Sequence, residues 1–394
     1  MKLGELCILF TDGDWIESKD QSDSGIRLIQ TGNIGNGEFL YKNDKAKYIS
    51  VDTFKRLNCK EVFPNDILVS RLPEPVGRGC IIPAIGEKMI TAVDCTICRI
   101  NENLVDRKYF CYFLESNAYK TQLEQHVTGT TRKRISRKNL SNVEIDIPEQ
   151  AKQKEVVYKL DRLKKTIQNY NRELDLLDEL VRARFVEMFG RPTDKITRYP
   201  KVKIGNLIKE GKASIKAGPF GSSLKKEFYV KKGFKIYGQE QVIKNDPTFG
   251  DYYINEDRFN SLKSCEVHAG DILISLVGTC GKTMIMPENF EPGIINPRLL
   301  KIAFDAEFII PIYFKYFFGS DDLQKILNSA SGHSTMNVVN AGMLKNVELI
   351  MAPIELQNQF ASFVEEIDKS RPRIQKSLET SQELFDSLMQ EYFG

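Results

Sequence analysis

The sequence predicts a duplicated α/β chain, two lobes of mixed strand and helix, each followed by one long heptad helix. Three observations lead there. Apolar residues recur in an unbroken alternation of four and three at Val156, Leu160, Leu163, Ile167, Tyr170, Leu174, Leu177 and Val181. That is the narrow seam of a coiled-coil helix, not the broader stripe of a surface helix, and it requires a partner. A shift of 204 positions carries the seam onto Phe360, Val364, Ile367, Arg371, Ile374, Leu378, Ser381 and Phe385, six of these eight apolar, and carries Met188-Phe189-Gly190 onto Tyr392-Phe393-Gly394. The segments ahead of the two helices match as well, most sharply Pro64-Asn65-Asp66-Ile67-Leu68-Val69-Ser70 against Ala269-Gly270-Asp271-Ile272-Leu273-Ile274-Ser275.

Composition narrows the class. With 394 residues, 41% hydrophobic and 28% charged, the chain has the make-up of an ordinary water-soluble protein of two or three domains. No apolar run approaches a membrane span and the N-terminal stretch lacks the features of a signal peptide, so a cytoplasmic protein without membrane contact is expected. Eight irregularly placed cysteines suit reduced thiols better than a disulfide framework. Cys95 and Cys98 have a C-x-x-C spacing, but no second pair accompanies them and the three histidines are scattered, so no metal site is expected. A net charge of +3 neither requires nor excludes nucleic acid.

In chain order, the first copy opens with Leu3-Gly4-Glu5-Leu6 and the second with Ile204-Gly205-Asn206-Leu207. Gly25-Ile26-Arg27-Leu28-Ile29 and Gly233-Phe234-Lys235-Ile236-Tyr237 alternate apolar with basic, as half-buried strands do. Tyr48-Ile49, Phe54, Leu57 and Val62 return at a shift of 205 as Tyr253-Ile254, Phe259, Leu262 and Val267. The Asp66 and Asp271 segments read as a turn feeding a buried strand, with each carboxylate capping backbone amides. Gly77-Arg78 and Gly281-Lys282 then place a basic residue beside a glycine at the same loop.

Dense aromatic blocks follow, Tyr109 to Leu114 and Tyr313 to Phe318, read as helices buried on several faces. Polar loops come next, Gly129 to Arg134 and Gly332 to Asn337, and each leads into a strand that stops at Pro148 or Pro353. Directly after those prolines the heptad helices begin. Two such helices of ~40 residues at 1.5 Å per residue make a strut of roughly 60 Å. Arg371 and Pro372 interrupt the second seam, where a kink or loosened turn is expected.

Catalytic signatures fail on inspection. Gly278-Thr279-Cys280-Gly281-Lys282-Thr283 ends like a phosphate loop, but the first glycine of that motif is Leu276 here. Asn296-Pro297-Arg298 lacks the second proline and ring of an amino-methyltransferase motif, and Pro64-Asn65-Asp66 has no Glu-x-Lys after it. His333 has Thr130 as its counterpart, which argues against general acid or base work. No catalytic residue is expected.

Binding residues are easier to find. Thr130 and Thr131 precede Arg132, Lys133, Arg134, Arg137 and Lys138, five cations within seven residues, in a turn expected to run into a strand. Arg and Lys so placed reach phosphates and base edges. The second copy puts His333, Ser334, Thr335 and Asn337 at the same place, side chains able to donate to phosphate or read a base edge. Two equivalent loops of different chemistry imply two different targets.

Taken together, the opening L-G-E-L, the strand seen as Asn65-Asp66-Ile67-Leu68-Val69-Ser70 and Gly270-Asp271-Ile272-Leu273-Ile274-Ser275, the glycine-polar loops, and the proline-led helices with Gln153 or Gln357 near their start resemble the specificity subunit of a type I restriction-modification enzyme. The resemblance covers the whole chain, through the order of its motifs and their repetition. It implies two target-recognition domains, each with a bent mixed sheet, at residues 1–148 and 201–353, helical spacers at 149–190 and 354–394 running antiparallel, and a linker at 191–200. It implies double-stranded DNA as ligand, read as an asymmetric bipartite site with one domain per part. It implies two modification (methyltransferase) subunits and restriction subunits as partners, with S-adenosylmethionine and ATP/Mg confined to those partners and no cofactor in this chain. The loops Gly129 to Lys138 and Gly332 to Asn337 resemble the DNA-facing loops of that family. Arg78 and Lys282, with the turns Thr31 to Asn33 and Gln239 to Gln241, are further candidates.

Two other readings fit the repeat. A fragment of a fused restriction and methylation enzyme would need a methyl-donor domain of roughly 100 to 200 further residues. A coiled-coil scaffold carrying sugar- or peptide-binding lobes would bind with little sensitivity to salt.

Overall fold

The computed structural model describes residues 1–276, 281–330 and 340–394. The chain divides into two compact units, Met1–Asn171 with Gln375–Gly394, and Arg172–Ile374. Each holds one lobe and a segment of each long helix.

In the first unit, Cys7–Asp12, Cys95–Ile100, Ile67–Ser70 and Gly79–Ile81 lie in that order as an antiparallel sheet. A second sheet orders Gln21–Ser22, Tyr48–Ile49, Ile26–Ile29, Met89–Thr91 and Glu61–Val62, with Ile26–Ile29 parallel to Met89–Thr91 and the other pairs antiparallel. Residues 92–94 carry the chain from one sheet into the other. The second unit repeats this. Ala213–Ala217, Leu299–Phe304, Ile272–Ser275 and Thr283–Ile285 form one sheet, and Tyr229–Val230, Tyr253–Ile254, Phe234–Tyr237 and Gly293–Ile295 the other.

The turn-and-strand motif behaves as its residues require. Asn65 and Gly270 supply the left-handed conformation, at φ 75° and 79°. The next residue, Asp66 or Asp271, accepts the N–H of Phe63 at 2.8 Å or His268 at 2.7 Å. Both carboxylates are buried, and each is neutralised by a cation from the neighbouring strand. Arg99 grips Asp66 with two bonds of 2.8 Å, and Lys301 stands 2.8 Å from Asp271.

The strands predicted to be half-buried differ from expectation. Arg27 is 4% exposed and Lys235 only 1%, because each strand lies inside its sheet against a parallel neighbour. The buried cations are bonded from within, although the Arg27 Nε has no hydrogen-bond partner. Arg27 donates to the Tyr41 carbonyl at 2.9 Å and the Tyr48 hydroxyl at 3.1 Å, while Lys235 donates to the Thr248 carbonyl at 2.9 Å and Glu291 at 2.7 Å.

The segments ahead of Pro148 and Pro353 also diverge from each other. Glu348–Ile350 pairs with Lys201–Lys203 as a short ladder, but its counterpart in the first lobe is a single bridge from Lys2 to Glu144. The aromatic blocks are buried helices, Arg107–Glu115 and Pro311–Phe318. The core of each unit includes the block of its own lobe and residues from both long helices.

The long helices span Gln150–Phe189 and Ile354–Phe393. In the first unit Lys159 reaches the Tyr392 hydroxyl at 3.2 Å, while Ile167 and Gln168 line a groove with Gln382 and Phe385. In the second, Asp178 meets Arg371 at 2.6 Å and Phe185 packs on Phe360 with ring centres 5.4 Å apart. Rising numbers on one helix meet falling numbers on the other in both units, so the pairing is antiparallel. The helix continues through Pro372, and Arg371 fills its seam position by pairing with Asp178 and with Asp368 at 2.8 Å. No described helix is long and apolar enough to cross a membrane.

Gln153 and Gln357 tie each lobe to the helix that follows it. Gln153 accepts the Asp106 N–H at 2.6 Å and donates to the Leu104 and Pro148 carbonyls at 3.2 and 2.8 Å. Gln357 accepts from Ile310 at 3.1 Å and donates to Phe308 and Ala352 at 2.9 and 2.8 Å. Both are buried.

Candidate nucleic-acid interface

The basic stretch of the first lobe is an exposed loop on a buried footing. Thr128 and Arg134 exchange two backbone hydrogen bonds of 2.9 Å, closing residues 129–133 into a tight loop. Gly129 sits at φ 96°, and a side chain there would run into the Arg132 carbonyl, so glycine is required. Thr130, Thr131, Arg132, Lys133, Arg134, Arg137 and Lys138 are all exposed.

Beneath them, Ile135 is fully buried and anchored by Arg71. The Ile135 N–H donates to the Arg71 carbonyl at 3.2 Å, and the Arg71 guanidinium returns a bond to the Ile135 carbonyl at 3.1 Å and another to Val93 at 2.7 Å. Arg71 follows the Ser70 strand directly, and its position in the second copy is Leu276, so the repeat offered no signal for this role.

Beyond Ile135 the chain enters a short helix, Arg137–Ser141, rather than the expected strand. Ser136 caps it, accepting the Asn139 N–H at 3.1 Å, and the preference of serine for such caps outweighs a strand here. Arg137 approaches Asp12 at 3.9 Å, and Lys133 pairs with Glu74 at 2.9 Å across an exposed contact open to solvent screening. Among the described residues, the side chains of Arg132, Arg134 and Lys138 enter no ion pair. Their charge is available to an anionic ligand.

The remaining candidates separate. Arg78 turns inward. Its guanidinium donates to the carbonyls of Ile34 at 2.7 Å, Thr31 at 3.0 Å, Pro73 at 2.9 Å and Pro75 at 2.8 Å, so it clamps two loops together and has little capacity left for a ligand. Of the two turns, Asn33 and Gln241 are buried staples that accept from Gln30 and Gly238, each at 3.0 Å. Gln239 is half-exposed at the start of the helix Gln239–Lys244, and the Lys282 side chain is exposed. His333, Ser334, Thr335 and Asn337 lie outside the described residues, as do Gly278, Thr279 and Cys280.

Burial disfavours the thiolate at the C-x-x-C pair, raising the Cys95 thiol to about 12 and pushing up that of Cys98. Among the described residues no group of three His, Cys, Asp or Glu side chains is placed to hold a metal.

The chain has known relatives. The family model described as "Type I restriction modification DNA specificity domain" matches residues 1–179 and 210–381. The specificity subunit of the type I restriction enzyme EcoBI from Escherichia coli is 22% identical over 349 residues, covering 84% of this chain and 72% of its own. That of EcoKI from Escherichia coli strain K12 is 20% identical over 398 residues, covering 93% and 81%. Among solved structures, the S subunit of a type I restriction-modification system from M. genitalium aligns with TM-score 0.53 at 14% identity, covering all of this chain and 95% of that one. A chain from a type I restriction-modification complex described in terms of its assembly and conformational transition aligns with TM-score 0.59 at 14% identity, covering 100% and 96%. At such identity the structures speak for the fold alone.

Proposed function

Since the chain belongs to the type I restriction-modification DNA specificity family and is the specificity subunit of such a system, we propose that each of its two lobes reads one part of a bipartite, asymmetric DNA site. The single observation that carries this is the exposed cationic loop 129–138 on the anchored footing of Arg71 and Ile135. Its counterpart in the second lobe has different residues, so two unlike half-sites are expected from one duplicated fold.

Contacts divide by chemistry. Arg132, Arg134 and Lys138 suit phosphates or guanine edges, and Thr130 and Thr131 suit sugar-phosphate oxygens or a base edge. In the second lobe His333, Ser334, Thr335, Asn337, Gln239 and Lys282 are the counterparts we assign to the other half-site. Arg78 is reassigned to holding the loops that frame the first site. The chain itself carries no catalytic group, metal or cofactor in this reading. Adenine methylation with S-adenosylmethionine and ATP/Mg-dependent cleavage belong to two modification subunits and to restriction subunits that assemble on it.

The test is selection from a pool of random duplexes by the chain assembled with its modification subunits, followed by mapping of methylated adenines with and without this chain. Recovery of two short fixed blocks separated by a fixed unspecified gap is expected. Enrichment of no common sequence would remove the proposal.

A further inference from the structure

We propose that Trp15 and Phe220 are equivalent aromatic contacts, one on each lobe, that lay their rings against the bases of the DNA duplex. The inference rests on the DNA-reading function above.

The equivalence comes from register, not from sequence likeness. Asp12 pairs with Thr96 at the end of the first strand of its sheet, and Ala217 pairs with Leu300 at the same place in the second lobe. The next residue is glycine in both. Gly13 donates to the Cys95 carbonyl at 2.9 Å and Gly218 to that of Leu299 at 3.0 Å. A side chain at Gly13 would collide with the backbone of Thr91 and Ala92, and one at Gly218 with the backbone of Asn296. Two residues further on, each lobe presents a large ring to solvent, Trp15 at 69% and Phe220 at 87% exposed.

One exposed aromatic is ordinary on a protein surface. A bulky ring kept in water at the same structural position of two lobes that otherwise exchange their surface chemistry is not. Neither ring sits on a loose segment. Asp14 accepts the Lys60 N–H at 2.7 Å beside Trp15, and the Phe220 carbonyl accepts the Ser223 N–H at 2.8 Å, with Leu224 buried just beyond. The pinned backbone presents the ring at little further cost in entropy.

The surroundings favour nucleic acid. Three residues before Trp15, Asp12 touches Arg137 at 3.9 Å and Arg71 at 3.2 Å, which places the end of the strand that leads to Trp15 against the foot of the cationic loop. In the second lobe the glycine before Phe220 abuts Asn296, whose neighbour Arg298 is exposed, and Lys225 and Lys226 follow the ring in the chain. Trp15 itself donates its indole N–H to Glu17 at 3.4 Å, so the cations that flank a ring directly are those beside Phe220, where they fit a base step or a thymine methyl under phosphates. A protein partner takes aromatic rings as well, but it selects against lysines such as the two that follow Phe220.

The experiment compares Trp15→Ala, Phe220→Ala and Trp15→Phe in the full chain assembled with its modification subunits, using a labelled duplex that the unchanged complex has selected. Each alanine variant is expected to weaken binding about tenfold, the range of one base-to-ring contact. The loss should be insensitive to base changes in the other half-site, Trp15→Phe should restore most of it, and thermal unfolding should be unchanged because both rings are exposed. Unchanged affinity and selection in both alanine variants, with the unchanged complex still selecting its duplex, would overturn the proposal and leave the DNA-reading function standing. Release of the modification subunits from either variant would assign the rings to a protein interface and overturn it equally. Failure of the unchanged complex to select any duplex would end both.

Discussion

The Arg71 guanidinium and the Ile135 backbone are bonded reciprocally, the Ile135 N–H to the Arg71 carbonyl at 3.2 Å and the Arg71 Nη1 to the Ile135 carbonyl at 3.1 Å. Through that pair a strand inside the first sheet fixes the foot of an exposed cationic loop. Arg71→Ala leaves the carbonyls of Ile135 and Val93 without their buried donor, and each such group costs about 1–3 kcal/mol. We expect a lowered urea midpoint in that range together with weaker duplex binding. Arg71→Lys should recover stability only in part, since an ammonium cannot span both carbonyls as a planar fork does. A variant as stable as the parent with full DNA affinity would show that the loop needs no such anchor.

The loop cations should reveal themselves through salt. Each phosphate neutralised by one of them contributes about 0.9 to the slope of log affinity against log salt. Arg132→Ala and Arg134→Ala should each flatten the slope by about that much if their contact is to phosphate, with equal loss on all duplexes. A residue that reads a base edge should instead relax selection at one position. Arg78→Ala should lower stability, because four carbonyls lose their donor, and change the salt slope little. Anisotropy titrations at several salt concentrations separate these outcomes.

Gln153→Leu and Gln357→Leu keep volume and remove the three hydrogen bonds that each buried amide makes. Each should destabilise by several kcal/mol, on the order of 1–3 kcal/mol for every backbone group left unpaired. Thermal unfolding followed by circular dichroism would read this. Losses below about 1 kcal/mol at both positions would mean that water replaces the amide.

The second lobe should have an acid-sensitive element in Lys235 and Glu291. The hydrogen bond from the buried Lys235 ammonium holds the Glu291 carboxyl below its usual range. A carboxyl depressed in the folded state stabilises above its ordinary range and loses that contribution as pH falls through its folded value. Stability of the parent should therefore drop on acidification more steeply than that of Glu291→Gln, which is weaker at neutral pH and flatter below it. Parallel stability-versus-pH curves for the two proteins would contradict this.

Much of the fold was legible in the chain because its signals are local and duplicated. The seam from Val156 to Val181 and its copy from Phe360 to Phe385 follow from heptad spacing alone, and the turns before Ile67 and Ile272 follow from residues that tolerate positive φ. The loop cations were legible too, since a run of arginine and lysine needs no partner to be recognised.

What stayed hidden depends on neighbours distant in sequence. Alternation around Arg27 and Lys235 reads as one wet face, but a parallel strand some 60 residues away buries both, with Tyr48 or Glu291 as a hydrogen-bond partner. Arg371 reads as a break in a seam until Asp178 on the antiparallel helix meets it. Arg78 reads as a surface cation until four carbonyls from two loops close around it. The sequence by itself determined the duplication, the helices and the charge of the first loop, because periodicity and composition survive without coordinates. Only the tertiary structure decided which cations are spent inside the protein and which are left for a ligand, because a charge is committed by whatever folds against it.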